Sequence, residues 1–335
     1  MLSAIAAPAL AAPQATKTRV AMIGGSHSHA FEKGRIFSQS GEWELAGVAE
    51  EDEKVAERYK RAGVKRVSID EILRDASIRA VAVESAVRDH FRHARLALEA
   101  GKHVHVEKPP ADTLDGMRQL VALAKKKNLL LQSGYMWRYH PGMIEVIEAV
   151  RNGWLGEVYL VRGQIGTLID ADRRPEWGEF AGGHMFELCA HLIDVTTRLM
   201  GRPQKVTPFL RHDASLHDKL MDNTVAIFEY GKAMAIISGA TMQPGAGRRR
   251  MFEVQGTNGV AIVSPIEPPV VTLDLAEAAG PYKKGEQKIP MPEYKRYVDD
   301  LVEFAAAIRG EKRLRVSLDE EMLVQETLLR ASGMS

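Results

Sequence analysis

The sequence predicts an α/β protein with two domains: a doubly wound parallel sheet, then an α/β domain built on an open, mainly antiparallel sheet. Between residues 18 and 132, short apolar strands alternate with amphipathic helices, which is the pattern of parallel strands joined by helical crossovers. After Pro141 the strands become longer, and hairpin turns such as Tyr230-Gly231-Lys232 join them. A chain of 335 residues is long enough for each domain to bury a core of its own.

The first domain is expected to span residues 17–140 and to contain six parallel strands. Its clearest strands lie at 20–23, 45–50, 80–84, 103–107 and 129–132, and its helices at 31–38, 52–62, 90–100 and 114–127. Gly63 ends the second of these helices as a C′ glycine, and Ser68 with Glu71 forms a capping box that opens another helix.

The second domain is expected to span residues 141–335. A helix at 143–152 leads into strands at 158–165, 223–230, 233–239, 251–255 and 260–263, and helices at 293–308 and 318–331 close the chain against either domain. A further helix follows Gly182-Gly183 and ends at Gly201, with an apolar stripe through Leu188 and Leu192.

Composition and charge exclude several classes of protein. The formal net charge of +1 gives no reason to expect a nucleic-acid partner, and no run of 18 apolar residues could span a membrane. Cys189 is the only cysteine, which excludes an intrachain disulfide framework and a cysteine-rich zinc site. Residues 1–16 are alanine-rich and contain Ala9-Leu10-Ala11, so they are interpreted as either a disordered tail or the remnant of an export signal. These alternatives leave the location open, cytoplasmic or exported to the periplasm.

The segment Glu107-Lys108-Pro109 follows a predicted strand and is the most informative stretch of the chain. In an open parallel sheet, ligands bind at the carboxyl ends of the strands. Proline fixes its own φ and restricts the residue before it, so Lys108 is expected to be held at this edge. The alternative interpretation is a solvated lysine in a loop.

The turn after the first strand is the expected phosphate site of a nucleotide-binding sheet. It reads Gly24-Gly25-Ser26-His27-Ser28-His29, in which only Gly24 matches the pattern G-x-G-x-x-G, and Ser28 is expected to cap the following helix. Glu50 ends the second strand, where a carboxylate accepts hydrogen bonds from both ribose hydroxyls and disfavours a 2′-phosphate. The turn therefore predicts NAD, with NADP less favoured. An acid in the first turn of a helix is the other interpretation of Glu50.

Glu187, His191 and Asp194 fall at i, i+4 and i+7 and would form one polar stripe on a helix. A carboxylate four residues before a histidine can orient the imidazole and raise its basicity, which suits a general base. With Lys108 polarising a substrate oxygen and His191 accepting its proton, these residues suit oxidation of a secondary alcohol by a nicotinamide cofactor. The alternative is a solvent-facing stripe with an incidental pair.

These motifs resemble the Gfo/Idh/MocA family, the group of glucose-fructose oxidoreductase and inositol dehydrogenase. The Glu-Lys-Pro at residues 107–109 is similar to a signature of that family, and the spacing of acid and histidine at 187–194 is similar to its D-x-x-x-H-x-x-D helix. Residues 135–141 are similar to the segment that leads from the nucleotide domain into the pocket. Two differences are residues 85–87, which replace Thr-Pro-Asn, and Glu187, which replaces aspartate.

The resemblance implies a Rossmann domain, an NAD(P) cofactor, a sugar or polyol substrate, and homo-oligomers formed through the C-terminal sheet. The catalytic residues are then Lys108, His191 and Glu187. The expected cofactor-binding residues are Gly24, Gly25, Ser26, His27, Glu50, Ser85, His90, Glu107 and Lys108. The expected substrate-binding residues are Lys108, Arg138, His140, Trp177, Glu187 and His191, where Trp177 would stack on a sugar face or be buried at the domain junction.

Two other classes of function compete with this interpretation. A metal-dependent hydrolase would use His27-x-His29 after the first strand, with Glu187 and His191 as further ligands. Such barrels need eight β-α units, whereas the second half of this chain is expected to be antiparallel, so no metal site is predicted. A non-catalytic NAD- or sugar-binding protein, or a lyase of the same fold that uses NAD only transiently, is compatible with the eroded glycine turn. The approach of Lys108 and His191 to the nicotinamide would separate it from a dehydrogenase.

Overall fold

A parallel five-stranded sheet forms the core of the first half of the molecule, in a computed structural model that describes residues 17–334. Its strands are β1 (Thr18–Ile23), β2 (Trp43–Ala49), β3 (Ala80–Val83), β4 (His103–Val106) and β5 (Leu131–Ser133). The order β2-β1-β3-β4-β5 places the reversal of strand order between β1 and β3. The predicted parallel sheet is confirmed, but it has five strands and not six, because the chain leaves the sheet after β5.

Helices cover both faces of the parallel sheet. They are α1 (Ala30–Gln39), α2 (Glu53–Arg61), α3 (Ile69–Arg74), α4 (His90–Glu99) and α5 (Leu114–Lys127), and the predicted capping box opens α3. Along β1, Ala21 and Ile23 pack into one apolar cluster, whereas Val20 and Met22 pack into another. Successive side chains of a strand point to opposite faces, so burial on both faces explains why these strands are almost uniformly apolar.

An eight-stranded, mainly antiparallel sheet forms the second half. Its strands are β6 (Val158–Gln164), β7 (Lys205–Arg211), β8 (Asn223–Glu229), β9 (Met234–Ala240), β10 (Met251–Gly256), β11 (Gly259–Val263), β12 (Val271–Leu275) and β13 (Gly285–Ile289). They lie in the order β13-β12-β11-β10-β6-β9-β8-β7, and the pairing of β6 with β9 is parallel while the other pairings are antiparallel. The predicted open antiparallel architecture is confirmed.

The helices of the second half pack on one face of this sheet. They are α6 (Pro141–Arg151), α7 (Arg174–Trp177), α8 (Gly183–Glu187) and α9 (Ala190–Met200). The prediction of one continuous helix after Gly182-Gly183 is wrong, because the backbone turns at Leu188 and Cys189, and the Cys189 side chain is fully buried. As a result Glu187 ends α8, whereas His191 lies in the first turn of α9.

The two closing helices, α10 (Val298–Ile308) and α11 (Leu318–Ala331), return toward the first domain. Leu301 and Phe304 of α10 join the apolar cluster of Val20 and Met22, so α10 belongs to the core of the parallel sheet. A division into 17–140 and 141–335 therefore describes the chain order but not the packing of its last part.

Residues 1–16, interpreted above as a tail or the remnant of an export signal, lie outside the described residues. Within residues 17–334, no helix combines the length and the apolar character needed to cross a membrane.

Candidate active site at the edge of the parallel sheet

The reversal of strand order between β1 and β3 brings two turns together at the carboxyl edge of the sheet. Gly24, just after β1, has a φ of +80°, a conformation that favours glycine. A Cβ atom at Gly24 would lie 2.4 Å from the Cα of Ser85, which follows β3, so a side chain there would collide with the backbone. The crevice at such a reversal is where doubly wound sheets bind their ligands.

Glu50 holds the turn between β1 and α1 in place. Its Oε2 accepts a hydrogen bond from the N–H of Gly25 at 2.6 Å, and its Oε1 accepts one from the N–H of Asp52 at 2.9 Å. A cavity of about 650 Å³ lies beside Glu50 and is also lined by residues 66–71. Glu50 therefore lies beside a cavity at the end of β2, which is where a ribose-binding acid is expected. Both of its carboxylate oxygens already accept hydrogen bonds from backbone N–H groups.

The side chains of His27 and His29 turn inward toward Glu107 at the end of β4. His29 Nδ1 lies 3.1 Å from Glu107 Oε1, and His27 Nδ1 lies 3.8 Å from Glu107 Oε2. Burial lowers the pKa of both histidines despite the opposing charge of Glu107, so both imidazoles are neutral near pH 7. The prediction that Ser28 caps α1 is wrong, because His29 occupies the N-cap position and no side chain caps this helix.

Glu107 is the centre of a buried charge cluster that the sequence analysis did not identify. Lys33 Nζ on α1 donates to Glu107 Oε1 at 2.5 Å and to Glu84 Oε1 at 3.0 Å, and it lies 2.7 Å from His105 Nε2. Burial raises the pKa of Glu84 to about 8. Burial by itself would also raise the pKa of Glu107, but Lys33, His29 and His27 together hold it well below its ordinary value. Glu107 Oε2 also accepts the N–H of Lys108 at 2.9 Å, which fixes the turn that carries this lysine.

Ser85 and His90 are buried and hydrogen-bonded within the protein, and their contact with a cofactor stays a prediction. The hydroxyl of Ser85 bonds to His93 Nδ1 at 2.9 Å. The fully buried ring of His90 lies between the carbonyl oxygens of Ser85 and Pro109, at 3.0 and 2.8 Å. His90 therefore ties the turn after β3 to the turn after β4.

Lys108 reaches from the end of β4 to the second domain. Its Nζ donates to the backbone carbonyl oxygen of Glu187 at 2.7 Å and lies 3.8 Å from Glu187 Oε2. Because Lys108 is only 4 % exposed, its interpretation as a solvated loop lysine is wrong. Burial raises the pKa of Glu187 to about 7, and the ammonium of Lys108 partly opposes this shift.

His191 is buried among aromatic rings at the start of α9. Its ring centroid lies 5.2 Å from that of Trp137, 6.1 Å from that of Tyr135 and 6.4 Å from that of His29. Burial, followed by the nearby ammonium of Lys108, lowers the pKa of His191 well below its ordinary value. The imidazole is therefore neutral at physiological pH and able to accept a proton.

The predicted hydrogen bond between Glu187 and His191 is absent, because the helix break turns the Glu187 carboxyl toward Lys108. Within residues 17–334, Glu187 Oε1 and both ring nitrogens of His191 are buried without a hydrogen-bond partner. The interpretation as a solvent-facing stripe is also wrong, since both side chains are almost fully buried. Buried polar atoms are nearly always paired, so these three atoms mark a place where a polar molecule would bind.

Arg138 is paired with two carboxylates within the protein, and its contact with substrate stays a prediction. Its guanidinium donates to Asp194 Oδ1 at 3.0 and 2.8 Å and to both carboxylate oxygens of Glu321 at 2.6 and 2.9 Å. Although burial by itself would lower its pKa, the two carboxylates raise the pKa of Arg138 well above its ordinary value. Arg138 thus ties α9 to α11 beneath the site.

His140 and Trp177 are the other two residues predicted to contact substrate, and they differ in how deeply they are buried. His140 is fully buried, lies 2.7 Å from the carbonyl oxygen of Ile266 through Nε2, and caps α6 through Nδ1. Its contact with substrate stays a prediction. Trp177 ends α7, is half-buried and lies 5.8 Å from the ring of His184. Its contact with a sugar stays a prediction.

Tyr297 and Lys33 are the site residues that sequence reasoning missed. Lys33 lies three residues after Ala30 and four before Phe37, both buried, so its place on an apolar helix face was a usable signal. Tyr297 has an unusual φ of +62° that nothing in the local sequence indicates. Its ring lies 5.0 Å from that of His29, which in turn lies 6.4 Å from the ring of His191.

The barrel that a metal-dependent hydrolase would need is excluded by the two-sheet topology. Glu187 and His191 do not join His27 and His29 as a ligand group. The third ligand-type side chain beside the two histidines is Glu107.

Comparison with known families covers both sheets. A model described as an oxidoreductase family with an NAD-binding Rossmann fold matches residues 18–135. A second, described as the GFO/IDH/MocA C-terminal domain, matches residues 143–262. The two matches meet near residue 140, where the parallel sheet ends and α6 begins.

Comparison with individual proteins gives the same result as comparison with the family models. An uncharacterized oxidoreductase of Escherichia coli, YhhX, is 30 % identical over 254 residues, which cover 70 % of this chain and 72 % of that protein. D-glucoside 3-dehydrogenase of Escherichia coli is 30 % identical over 55 % of this chain and 54 % of its own. The solved structure of GenD2 from gentamicin A biosynthesis, in complex with NAD, has the same fold, with a TM-score of 0.81 at 23 % identity over 98 % of this chain and 97 % of that one. The chain therefore belongs to the Gfo/Idh/MocA family of oxidoreductases and carries its NAD-binding Rossmann domain.

Proposed function

We propose that this oxidoreductase transfers a hydride between NAD and a secondary alcohol of a sugar, a polyol or a related small molecule. The observation that carries this proposal is the contact of Lys108, from the first domain, with the carbonyl oxygen of Glu187, beside polar atoms of Glu187 and His191 that are buried without a hydrogen-bond partner among residues 17–334. A binding protein has no need to bring an ammonium and a neutral imidazole together at the edge of a dinucleotide fold.

The residues at the sheet edge fit a dinucleotide at its adenosine end. Gly24 permits close approach of the turn after β3, Ser26 and Ser28 are exposed on the turn after β1, and the cavity beside Glu50 has the size of a small-molecule pocket. We assign the ribose of the adenosine to Glu50, which favours NAD over NADP. When bound, the nicotinamide supplies the hydride acceptor or donor.

In the proposed oxidation, His191 accepts the proton of the substrate hydroxyl. Its lowered pKa keeps the imidazole neutral and available as a base at physiological pH. Water is excluded from the site, because His191 is 1 % exposed and is enclosed by Trp137 and Tyr135. A water-poor site strengthens the interaction of a substrate oxygen with a nearby charge.

Lys108 polarises the substrate oxygen, and Glu187 positions Lys108. The backbone carbonyl and the carboxyl of Glu187 hold the ammonium at 2.7 and 3.8 Å. An ammonium held in advance stabilises the negative charge that develops as the hydroxyl proton leaves. In the reverse direction, the same ammonium polarises a carbonyl and His191 returns the proton.

Two relatives support the substrate class. D-glucoside 3-dehydrogenase of Escherichia coli and scyllo-inositol 2-dehydrogenase (NADP(+)) of Bacillus subtilis share 30 % and 25 % identity with parts of this chain. Both names describe oxidation of a ring hydroxyl. The unpaired polar atoms of Glu187 and His191 are suited to a ligand rich in hydroxyl groups.

A second candidate function is non-catalytic binding of NAD or a sugar. The burial of His191 favours it, because a ring that is only 1 % exposed is not accessible to a nicotinamide unless its neighbours move. The dehydrogenase function predicts turnover of a substrate, whereas the binding function predicts none. The test is to denature the purified protein, identify any released nucleotide by mass spectrometry, and then follow NADH formation with a panel of glycosides and polyols. Binding without turnover of any member would favour the second candidate.

The outer face of the eight-stranded sheet supports the expected homo-oligomer. The helices pack on the opposite face, whereas Ile227 and Ile236 are only partly buried on the outer face and Met234 remains 50 % exposed. An open apolar sheet face of this kind commonly pairs with a second copy. Light scattering should show an oligomer that Ile227→Lys dissociates, and a monomeric wild-type protein would refute the proposal.

A further inference from the structure

Three side chains that commonly bind metals converge beside Lys108, at the carboxyl end of β4. They are His27, His29 and Glu107, and their candidate ligand atoms all lie within 4.8 Å of one another. His29 Nδ1 lies 3.1 Å from Glu107 Oε1, and His27 Nδ1 lies 3.8 Å from Glu107 Oε2. The histidine rings are 4.7 Å apart and nearly perpendicular.

These separations are close to those around a bound transition metal. Ligands about 2.0–2.1 Å from a common zinc ion are separated from each other by roughly 3.0–3.4 Å for right-angled to tetrahedral geometry. The contact of His29 with Glu107 already falls in this range. His27 Nδ1 accepts a long hydrogen bond, 3.4 Å, from the backbone N–H of His29, and it would give up this bond to move inward and bind the ion.

A second group of possible metal ligands in this protein already surrounds a cation, the ammonium of a lysine. Glu84, His105 and Glu107 also converge, but Lys33 Nζ lies among them, at 3.0, 2.7 and 2.5 Å. The chain itself supplies the cation there. No hydrogen bond joins Lys33 to His27 or His29 among the described residues, so the pair of imidazoles has no comparable cation.

We propose that His27, His29 and Glu107 bind one divalent first-row transition metal ion, such as Zn²⁺. Two imidazoles and a carboxylate suit these ions, whereas Mg²⁺ and Ca²⁺ prefer oxygen ligands throughout. A carboxylate has about four acceptor lone pairs, so Glu107 can bind the ion while it keeps Lys33 and the N–H of Lys108. Three protein ligands leave coordination positions open, as in sites where a metal binds a substrate or water.

This site goes beyond the proposed dehydrogenase, whose hydride transfer requires no metal. It also reverses the expectation from sequence that no metal binds. That expectation rested on the absence of a barrel, but a metal site needs only the local geometry of its ligands.

The proposal is tested by titrating the full chain, without an affinity tag and after removal of metals with a chelator, with Zn²⁺ in a calorimeter and without NAD. We expect one ion per chain. The variant His27→Ala/His29→Ala should bind it at least about 100-fold more weakly. His217→Ala removes an exposed histidine elsewhere and should bind as the wild type does. Equal affinity of the double variant and the wild type would overturn the site.

A measurement on the unaltered protein keeps the test valid if the double variant fails to fold. X-ray absorption spectra of the zinc-loaded wild type should show two imidazole ligands and oxygen ligands. Spectra with fewer than two imidazoles, or no binding of Zn²⁺ in the titration, would also overturn it. NAD binding is measured separately, so failure of this site and failure of the dehydrogenase proposal are distinguishable.

Discussion

His191 and Asp194, two buried polar residues that lie one turn apart on helix α9, differ in how they are paired. Asp194 Oδ1 accepts two hydrogen bonds from Arg138, whose guanidinium also pairs with Glu321. His191 has no hydrogen-bond partner on either nitrogen among residues 17–334, and neither does the nearby Glu187 Oε1. We call the first set the Arg138 cluster and the second the His191 cluster.

From this difference in pairing we infer that the Arg138 cluster stabilises the fold, whereas the His191 cluster takes part in the reaction. Paired buried charges hold elements in place, and removing one partner leaves an uncompensated charge. Unpaired buried atoms cost free energy in the empty protein, which a bound ligand offsets. We therefore expect changes in the His191 cluster to lower turnover and changes in the Arg138 cluster to lower stability.

The largest effect is expected from Lys108→Ala. Loss of the ammonium removes the charge that stabilises the developing alkoxide, so kcat/KM should fall at least about 1,000-fold. NAD affinity, measured by fluorescence titration, should change little. Lys125→Ala, which removes an exposed lysine paired with Asp319, is the matched control. Turnover equal to that of the control would remove Lys108 from the chemistry.

His191→Asn should lower kcat about 100- to 10,000-fold, the usual contribution of a general base. In the wild type the base is active when neutral, so activity falls as pH drops through a pKa that burial and Lys108 hold well below the ordinary histidine value. The variant should lose this acid limb of the pH–rate profile. A profile identical to that of wild type would show that another group accepts the proton.

Arg138→Met tests the Arg138 cluster and should lower the free energy of unfolding by about 3–5 kcal/mol. Asp194 and Glu321 would then be buried without their cation. Chemical denaturation measures the change, and the folded variant should keep its KM. Arg35→Met, at an exposed pair with Glu32, should change stability by less than about 1 kcal/mol. A raised KM at unchanged stability would place Arg138 in the substrate site instead.

Glu187→Gln should change how stability depends on pH. The folded pKa of Glu187, raised to about 7, exceeds the unfolded value of 4.5, so the folded state binds the proton more tightly. Stability of the wild type therefore falls as pH rises from the unfolded pKa to the folded pKa, by an amount on the order of 3 kcal/mol. Glutamine does not ionise, so the free energy of unfolding of the variant should not fall in this way, and the variant should become more stable relative to the wild type as pH rises from 4.5 to about 7. Parallel stability curves for variant and wild type would contradict the buried, ionisable state of Glu187.

The smallest effect is expected from Glu50→Ala. Loss of the carboxylate should shift preference from NAD toward NADP by about tenfold, or about 1.4 kcal/mol. Glu51→Ala, at another acid that lines the same cavity, is the control for a general loss of charge. Affinities for both dinucleotides give the ratio, and an unchanged ratio would mean that Glu50 does not contact the ribose.

Elements with strong local signals were predicted closely. The helix expected at 318–331 matches α11, which begins at a capping box, and the helix at 114–127 matches α5, which Thr113 caps. The strands β7, β12 and β13 were missed. The two edge strands, β7 and β13, contain only exposed and half-buried residues, whereas β12 alternates buried apolar residues with Thr272 and Asp274, a signal that was overlooked. At the two edges, weak burial leaves a weak apolar pattern.

The sequence by itself determined the two sheet types and the position of Lys108 at a strand end, because both follow from periodicity and turn residues over short stretches. Only the tertiary structure decided which polar residues are paired. Arg138 meets Glu321 across 183 residues of sequence, and Lys33 meets Glu107 across 74. Local patterns report which face of an element is buried but not which distant group lies against it, and that group decides whether a buried charge is structural or reactive.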